Sequence, residues 1–144
     1  MLKGIPAILS PDLLKILMEM GHGDELVLGD GNFPAASIAQ RLIRCDGHSV
    51  PELLNAILHF FPLDQFVERP VGLMQVVPGD PTRPTIWQEY KQIILTHEPE
   101  FQEFDLIERF AFYERAKQAY AIIATSEKAL YANIILKKGV VVEP

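Results

Sequence analysis

Four places in this chain carry side chains able to move a proton or hold a hydroxylated ligand: His22 between Gly21 and Gly23, Asp30, Arg109, and the run Tyr131-Ala132-Asn133. Glycine lets the backbone turn sharply and approach a ligand closely, so Gly21-His22-Gly23 reads as a tight loop presenting an imidazole. An imidazole changes charge near neutral pH and is the usual choice for general acid/base work. Asp30 follows the apolar run Leu26 to Leu28, a predicted strand, and the end of a strand is where open α/β sheets bind ligands. Arg109 falls at the junction of a predicted strand and helix, from which a long side chain reaches a neighbouring site. Tyr131 and Asn133 offer a phenol and an amide, groups that suit hydroxylated ligands.

Each of these has a plainer reading. A histidine just past a helix end serves as a cap, Asp30-Gly31-Asn32 is built of turn formers, and Tyr131 to Asn133 makes a turn leading into a strand. Taken together, one acid/base candidate, one acid, one arginine, a tyrosine and an asparagine suit proton transfer on a sugar-like molecule. His48, His59 and His97 have weaker settings: none pairs with Cys or His at a metal-ligand spacing, so no metal is expected. No nucleophile elbow, Walker loop or dinucleotide fingerprint is present, and no cofactor is expected.

Composition narrows the classes further. The 144 residues favour a single domain, 1–144, long enough to bury a core without disulfides. With 13 basic against 19 acidic residues the formal charge is -6, which argues against a nucleic-acid or anionic-membrane surface, because phosphates demand clustered Lys and Arg. Cys45 is the only cysteine, which favours a reduced, cytoplasmic setting. The apolar patch near the N-terminus is broken by Pro6 and is not expected to be a secretory signal. No apolar run approaches the roughly 20 residues that cross a bilayer, so a soluble chain is expected.

The elements that must position these residues alternate. Ser10-Pro11-Asp12 predicts a capped helix start with Leu13, Leu14, Leu17 and Met18 on one face, stopped at Gly21. Residues 32 to 40 fit either a loop or a short helix. Arg41 to Cys45 reads as a strand before the Asp46-Gly47 turn. Ser49-Val50-Pro51-Glu52 has capping-box spacing ahead of a helix over 51–61, ended by Pro62. Val71 to Val77 predicts a strand closed by Pro78-Gly79-Asp80-Pro81, and Ile86 to Leu95 a helix. Phe104 to Ile107 is a predicted strand, Phe110 to Ala119 a helix, Tyr120 to Thr125 a strand, and Asn133 to Lys137 the last strand. In the Glu108 to Arg115 segment most aromatics read as core, and Glu114 with Arg115 as a solvated face. The expected fold is α/β: a single-domain layered arrangement with a central mixed, partly parallel sheet and flanking helices.

Five blocks, Glu19 to Glu25, the Asp30 turn running into Phe33-Pro34, Arg44 with Asp46-Gly47, Arg109 to Ala116, and Tyr131 to Gly139, together resemble the fucose mutarotase and D-ribose pyranase family, in its L-fucose mutarotase branch. They run nearly end to end. The resemblance implies an isomerase that interconverts the α and β anomers of a free monosaccharide without redox or covalent chemistry. It implies His22 as the acid/base residue, and sugar contacts from Asp30, Arg109, Tyr131, Ala132 and Asn133. On that reading Asp30 also helps to orient His22. The resemblance further implies a ring-shaped homo-oligomer, commonly a decamer, with sites between neighbouring subunits. Gly31-Asn32 departs from the residues that branch often carries, which bears on sugar preference rather than catalysis. Two alternatives stand beside this reading: a non-catalytic sugar-binding or regulatory subunit, and pyranose–furanose interconversion of ribose.

Overall fold

The computed structural model describes residues 1–144. Its elements run α1 (Pro11–Glu19), β1 (Glu25–Gly29), α2 (Ala35–Ile38), β2 (Leu42–Cys45), α3 (Val50–Leu58), β3 (Val71–Met74), α4 (Ile86–His97), β4 (Asp105–Ile107), α5 (Arg109–Gln118), β5 (Ala121–Thr125) and β6 (Ile134–Lys137). Two helix starts follow directly from local chemistry. The Ser10 hydroxyl accepts the Leu13 N–H at 3.1 Å and Pro11 occupies the first turn, while Ser49 accepts the Glu52 N–H at 3.5 Å ahead of Pro51. Residues 32 to 40 resolve into a turn and the single helical turn of α2.

The strands form one mixed sheet in the order β2-β5-β1-β6-β3-β4. β2, β5, β1, β3 and β4 point one way, and β6 runs antiparallel between β1 and β3. Side chains alternate across the sheet as a period of two requires. Leu26, Leu28, Ala121, Ile123, Ile134 and Leu136 face the side covered by α1, α3 and α4. Val27, Ile122, Ala124 and Ile135 face α2 and α5, where Phe112 and Ala116 meet them. Each fully buried Leu or Ile in these layers contributes roughly 1.5–3 kcal/mol relative to exposure.

Some local expectations are corrected. The buried stripe of α1 is Leu13, Ile16 and Leu17, and Met18 is exposed, because α1 meets the sheet along a face rotated from the expected one. The predicted strand over 71–77 leaves the ladder after Met74, and only the Gln75 N–H still reaches across, to the Ile107 carbonyl at 2.7 Å. Of the aromatics opening α5, Phe112 is buried, but Phe110 is 66% exposed. Arg115 is not a solvated charge. Its guanidinium spans Glu25 and Asp105, tying the edge strand β4 and the central strand β1 to α5.

Candidate functional site

The common direction of the five parallel strands gives the sheet two distinct edges. Asp30 follows the C-terminal end of β1, and because β6 runs the other way, the residues just before it, Tyr131 to Asn133, arrive at the same edge. An open cleft of about 250 Å³ forms there, lined by Asp30, Asn32, Phe33, Met74, Asp80, Tyr113, Leu130, Tyr131 and Asn133. That size suits a molecule smaller than the drug-sized ligands whose pockets start at roughly 300 Å³. A larger hollow of about 450 Å³ lies under the N-terminal segment, but Met1, Leu2, Ile5, Pro6, Ala7, Leu9, Ser10, Pro11 and Leu14 line it and no charged side chain enters. Ser10 is the one polar side chain in that lining.

The cleft is rigid for identifiable reasons. Gly29 allows the chain to fold back: a Cβ on it would come within 2.8 Å of the Phe33 Cβ. The Asp30 N–H donates to Asn133 Oδ1 at 2.8 Å, which leaves the Asn133 amide NH₂ as a donor, and the Asn32 N–H donates to Asp30 Oδ1 at 3.0 Å. Tyr131 holds a left-handed backbone, φ 55°, uncommon for a side chain this large. Contacts hold it there. Trp87 Nε1–H donates to its carbonyl at 2.8 Å, its hydroxyl donates to Asp80 Oδ2 at 2.6 Å, and the Val77 N–H donates to the phenol oxygen at 3.3 Å. Ala132 is fixed by the Tyr90 hydroxyl, which donates to its carbonyl at 2.6 Å. The segment that leaves the ladder after β3 is therefore what carries Val77 and Asp80 to Tyr131.

Two carboxylates in this cleft are driven apart. Burial pushes the Asp30 carboxyl above its ordinary value, although the Asn32, Ala132 and Phe33 N–H groups pull the other way. Hydrogen bonds from the Thr82 and Tyr131 hydroxyls and the Thr82 N–H hold Asp80 below its ordinary value. The Tyr131 phenol is in turn raised by its bond to Asp80. With its proton directed at Asp80 and one lone pair taken by Val77, Tyr131 is left to act toward a ligand as an acceptor. Arg109 is the first residue of α5, capped by Glu108, which accepts the Phe110 and Ala111 N–H groups at 3.0 Å each. It stands beside the cleft, its guanidinium 5.8 Å from the Tyr113 ring, and its charge is felt at Tyr131.

His22 is elsewhere. It lies in the loop between α1 and β1, at the N-terminal edge of the sheet, where Gly23 turns the chain at φ 86°. Six residue steps of extended chain separate Asp24 from Asp30, so His22 stands roughly 20 Å from the cleft of its own chain. The expectation that Asp30 orients His22 is therefore corrected within one chain. The partner of His22 is Asp64, whose Oδ1 lies 3.0 Å from Nε2 and also accepts the Phe66 N–H at 3.0 Å. Asp64 is 4% exposed. Burial pushes its carboxyl up, but the Phe66 N–H, His22 and Lys137 together outweigh that and hold it below its ordinary value. Asp30, Tyr131, Ala132 and Asn133 are thus brought together, Arg109 stands at their margin, and His22 does not join them.

Two acids were missed in the sequence. Asp80 sits in a segment read only as a turn, and Asp64 has no local signal beyond being an acid after the apolar run Phe60 to Leu63. The remaining histidines do not build a metal centre: His59 and His97 stack edge to face at 5.5 Å, and His97 Nε2 pairs with Asn55 Oδ1 at 2.8 Å. No three His, Cys, Asp or Glu side chains converge so as to hold a metal ion.

The chain and its fold resemble those of known proteins. The chain is 52% identical over 140 residues to an L-fucose mutarotase of Actinobacillus pleuropneumoniae, covering 97% of each. It superimposes with a TM-score of 0.94 on the crystal structure of the fucose mutarotase in complex with L-fucose from Streptococcus pneumoniae, at 57% identity over 98% of this chain and 100% of that one. Against the crystal structure of FucU from Bifidobacterium longum the TM-score is 0.95 at 53% identity, covering 97% and 100%. The model of the RbsD / FucU transport protein family matches residues 3–141, and the chain belongs to that family.

Proposed function

We propose that this protein is an isomerase that interconverts the α and β anomers of a free monosaccharide, L-fucose or a related sugar. The observation that carries the reading is the polar cleft of Asp30, Tyr131 and Asn133, in a chain 57% identical to a fucose mutarotase solved with L-fucose. Asp30 and the Asn133 amide hold sugar hydroxyls, the Ala132 backbone shapes the floor, and Arg109 secures the ring from the margin. His22 is the catalytic residue. On opening it gives a proton to the ring oxygen as the bond from that oxygen to the anomeric carbon breaks. The anomeric hydroxyl gives up its proton to an acceptor, Tyr131 or water, and becomes the aldehyde oxygen. Closure on the other face of the aldehyde reverses both transfers. Because the reaction proceeds unaided in water, a positioned acid/base worth ~10²–10⁴-fold plus orientation suffices.

The roughly 20 Å between His22 and the cleft supports a site shared between two copies of the chain, one supplying His22 and the other Asp30, Tyr131 and Asn133, as a closed ring allows. A decamer is the form we favour. The single cysteine supports a cytoplasmic setting. Anomer exchange of L-fucose, followed by saturation-transfer NMR, tests the reading. The expected result is acceleration by the native protein and a loss of roughly 10²–10⁴-fold in His22→Ala with the fold intact. Saturable sugar binding with no exchange would instead indicate a binding subunit. Furanose signals exchanging with ribose in preference to fucose would indicate the pyranase activity.

A further inference from the structure

We infer that Asp80 is the positioning residue of Tyr131 and the far end of a two-proton relay: as the anomeric hydroxyl gives its proton to the Tyr131 oxygen, the phenol passes its own proton to Asp80 Oδ2. This deepens the proposed isomerase reading, rests on it, and names the acceptor of the anomeric proton. Both side chains line the cleft. The phenol donates to Asp80 Oδ2 at 2.6 Å, within the roughly 2.5–2.7 Å of a hydrogen bond to an ionised oxygen. The Val77 N–H donates to the phenol oxygen at 3.3 Å, so one acceptor direction is left. A phenol that already donates once and accepts once meets a sugar hydroxyl only by accepting from it.

Asp80 is held in place for this. The Thr82 N–H and hydroxyl both donate to its Oδ1, at 2.9 and 2.6 Å, which leaves Oδ2 to Tyr131. The Asp80 N–H donates to the Val77 carbonyl at 3.0 Å, closing a turn that passes through Gly79 at φ 90°, so one short segment sets both partners of the phenol. The same donors hold the Asp80 carboxyl below its ordinary value, so it is ionised and free to accept. A phenol beside a carboxylate resists ionisation, and in the relay it never ionises. The bonds balance. On opening, the bond from ring oxygen to anomeric carbon breaks and His22 protonates the ring oxygen. The anomeric O–H bond breaks, and its electron pair becomes the second bond of the aldehyde carbonyl. That proton forms a new O–H bond on Tyr131 while the former one breaks, its proton ending on Asp80. Closure runs every transfer backward and leaves Asp80 ionised again. A carboxylate that holds a proton weakly suits this, because the proton must return.

The test measures L-fucose anomer exchange by the full-length protein in native form, Asp80→Asn, Tyr131→Phe, the double variant and His22→Ala. Asparagine offers the phenol an oxygen of the same shape but does not take its proton. In Asp80→Asn kcat should fall by roughly 10-fold, as in Tyr131→Phe, with KM changed less than about threefold. The double variant should match Tyr131→Phe, because Asp80 acts only through the phenol. A further tenfold loss in the double variant means that Asp80 acts on the fold or on the sugar directly, and overturns the relay. So does native kcat in either single variant. The tyrosine doublet in the Raman spectrum of the native protein, with that of Tyr131→Phe subtracted, should report a strongly donating phenol. A phenol that only accepts overturns the inference whether or not Asp80→Asn folds. Full exchange in His22→Ala would bring down the acid/base reading itself. Loss in His22→Ala with native kcat in Asp80→Asn would remove only the relay.

Discussion

At the Asp30 end of β1 the polar groups face one another and spend much of their hydrogen-bonding capacity within the chain, whereas at the other end a half-exposed imidazole leans on a single enclosed carboxylate. The first end is a cradle whose donors and acceptors are set before a ligand arrives. The second presents a half-exposed imidazole backed by one carboxylate. On the proposed function, binding and proton transfer fall at opposite edges of the same sheet. A strand of five residues is rigid, so no loop motion closes a gap of roughly 20 Å. A second copy can.

The largest expected effect breaks that division directly. His22→Ala and Asp30→Asn should each be nearly inactive alone, yet refolding the two together should restore exchange at about a quarter of the sites in a ring of shared sites. Anomer exchange rate against mixing ratio measures this, and a mixture as inactive as its parents means that each chain holds its own whole site. A smaller effect sharpens the role of the cradle. Tyr131→Phe removes the proton given to Asp80 and the acceptor offered to the sugar, and should slow exchange by roughly 10-fold, less than a full acid/base because water can substitute as acceptor. An unchanged rate assigns the anomeric proton to water.

The smallest effect compares the two buried acids by stability. Asp64 is held below its ordinary value, so its contribution is complete above the unfolded value of about 3.9 and is lost as pH falls through the lower folded value. Asp30 is raised, so the folded state binds its proton more tightly, and stability declines as pH rises from about 3.9 through the raised value. Thermal midpoints from about pH 2 to pH 6 should lose part of their acid-side fall in Asp64→Asn and part of their higher-pH decline in Asp30→Asn. Identical profiles in the two variants would contradict the opposed shifts.

Local rules made much of the frame readable. Ser10-Pro11 and Ser49-Val50-Pro51 mark α1 and α3 because a hydroxyl satisfies an orphan N–H of the first turn and proline has none to satisfy there. The apolar runs at Leu26 to Leu28 and Tyr120 to Thr125 mark two central strands because such side chains fit a buried pleated surface. The antiparallel insertion of β6 between β1 and β3 was not readable, since strand order is decided by contacts across more than 60 residues of chain. The misreading of Arg115 has the same origin: its partners Glu25 and Asp105 lie on two different strands, and α5 has no strong apolar face to announce which side is buried.

What the sequence determined by itself was the kind of chemistry. An imidazole between glycines, an acid at a strand end and a Tyr-Ala-Asn run already pointed to proton transfer on a hydroxylated ligand. What only the tertiary structure decided was where each group stands and what it leans on. Asp64 meets His22 across 42 residues and Asp80 meets Tyr131 across 51. Such pairs leave no periodicity or capping signal in the chain, because they are made by strand order and strand direction. The direction of β6 puts Tyr131 and Asn133 beside Asp30, while β1 itself, running between His22 and Asp30, leaves His22 at the opposite edge.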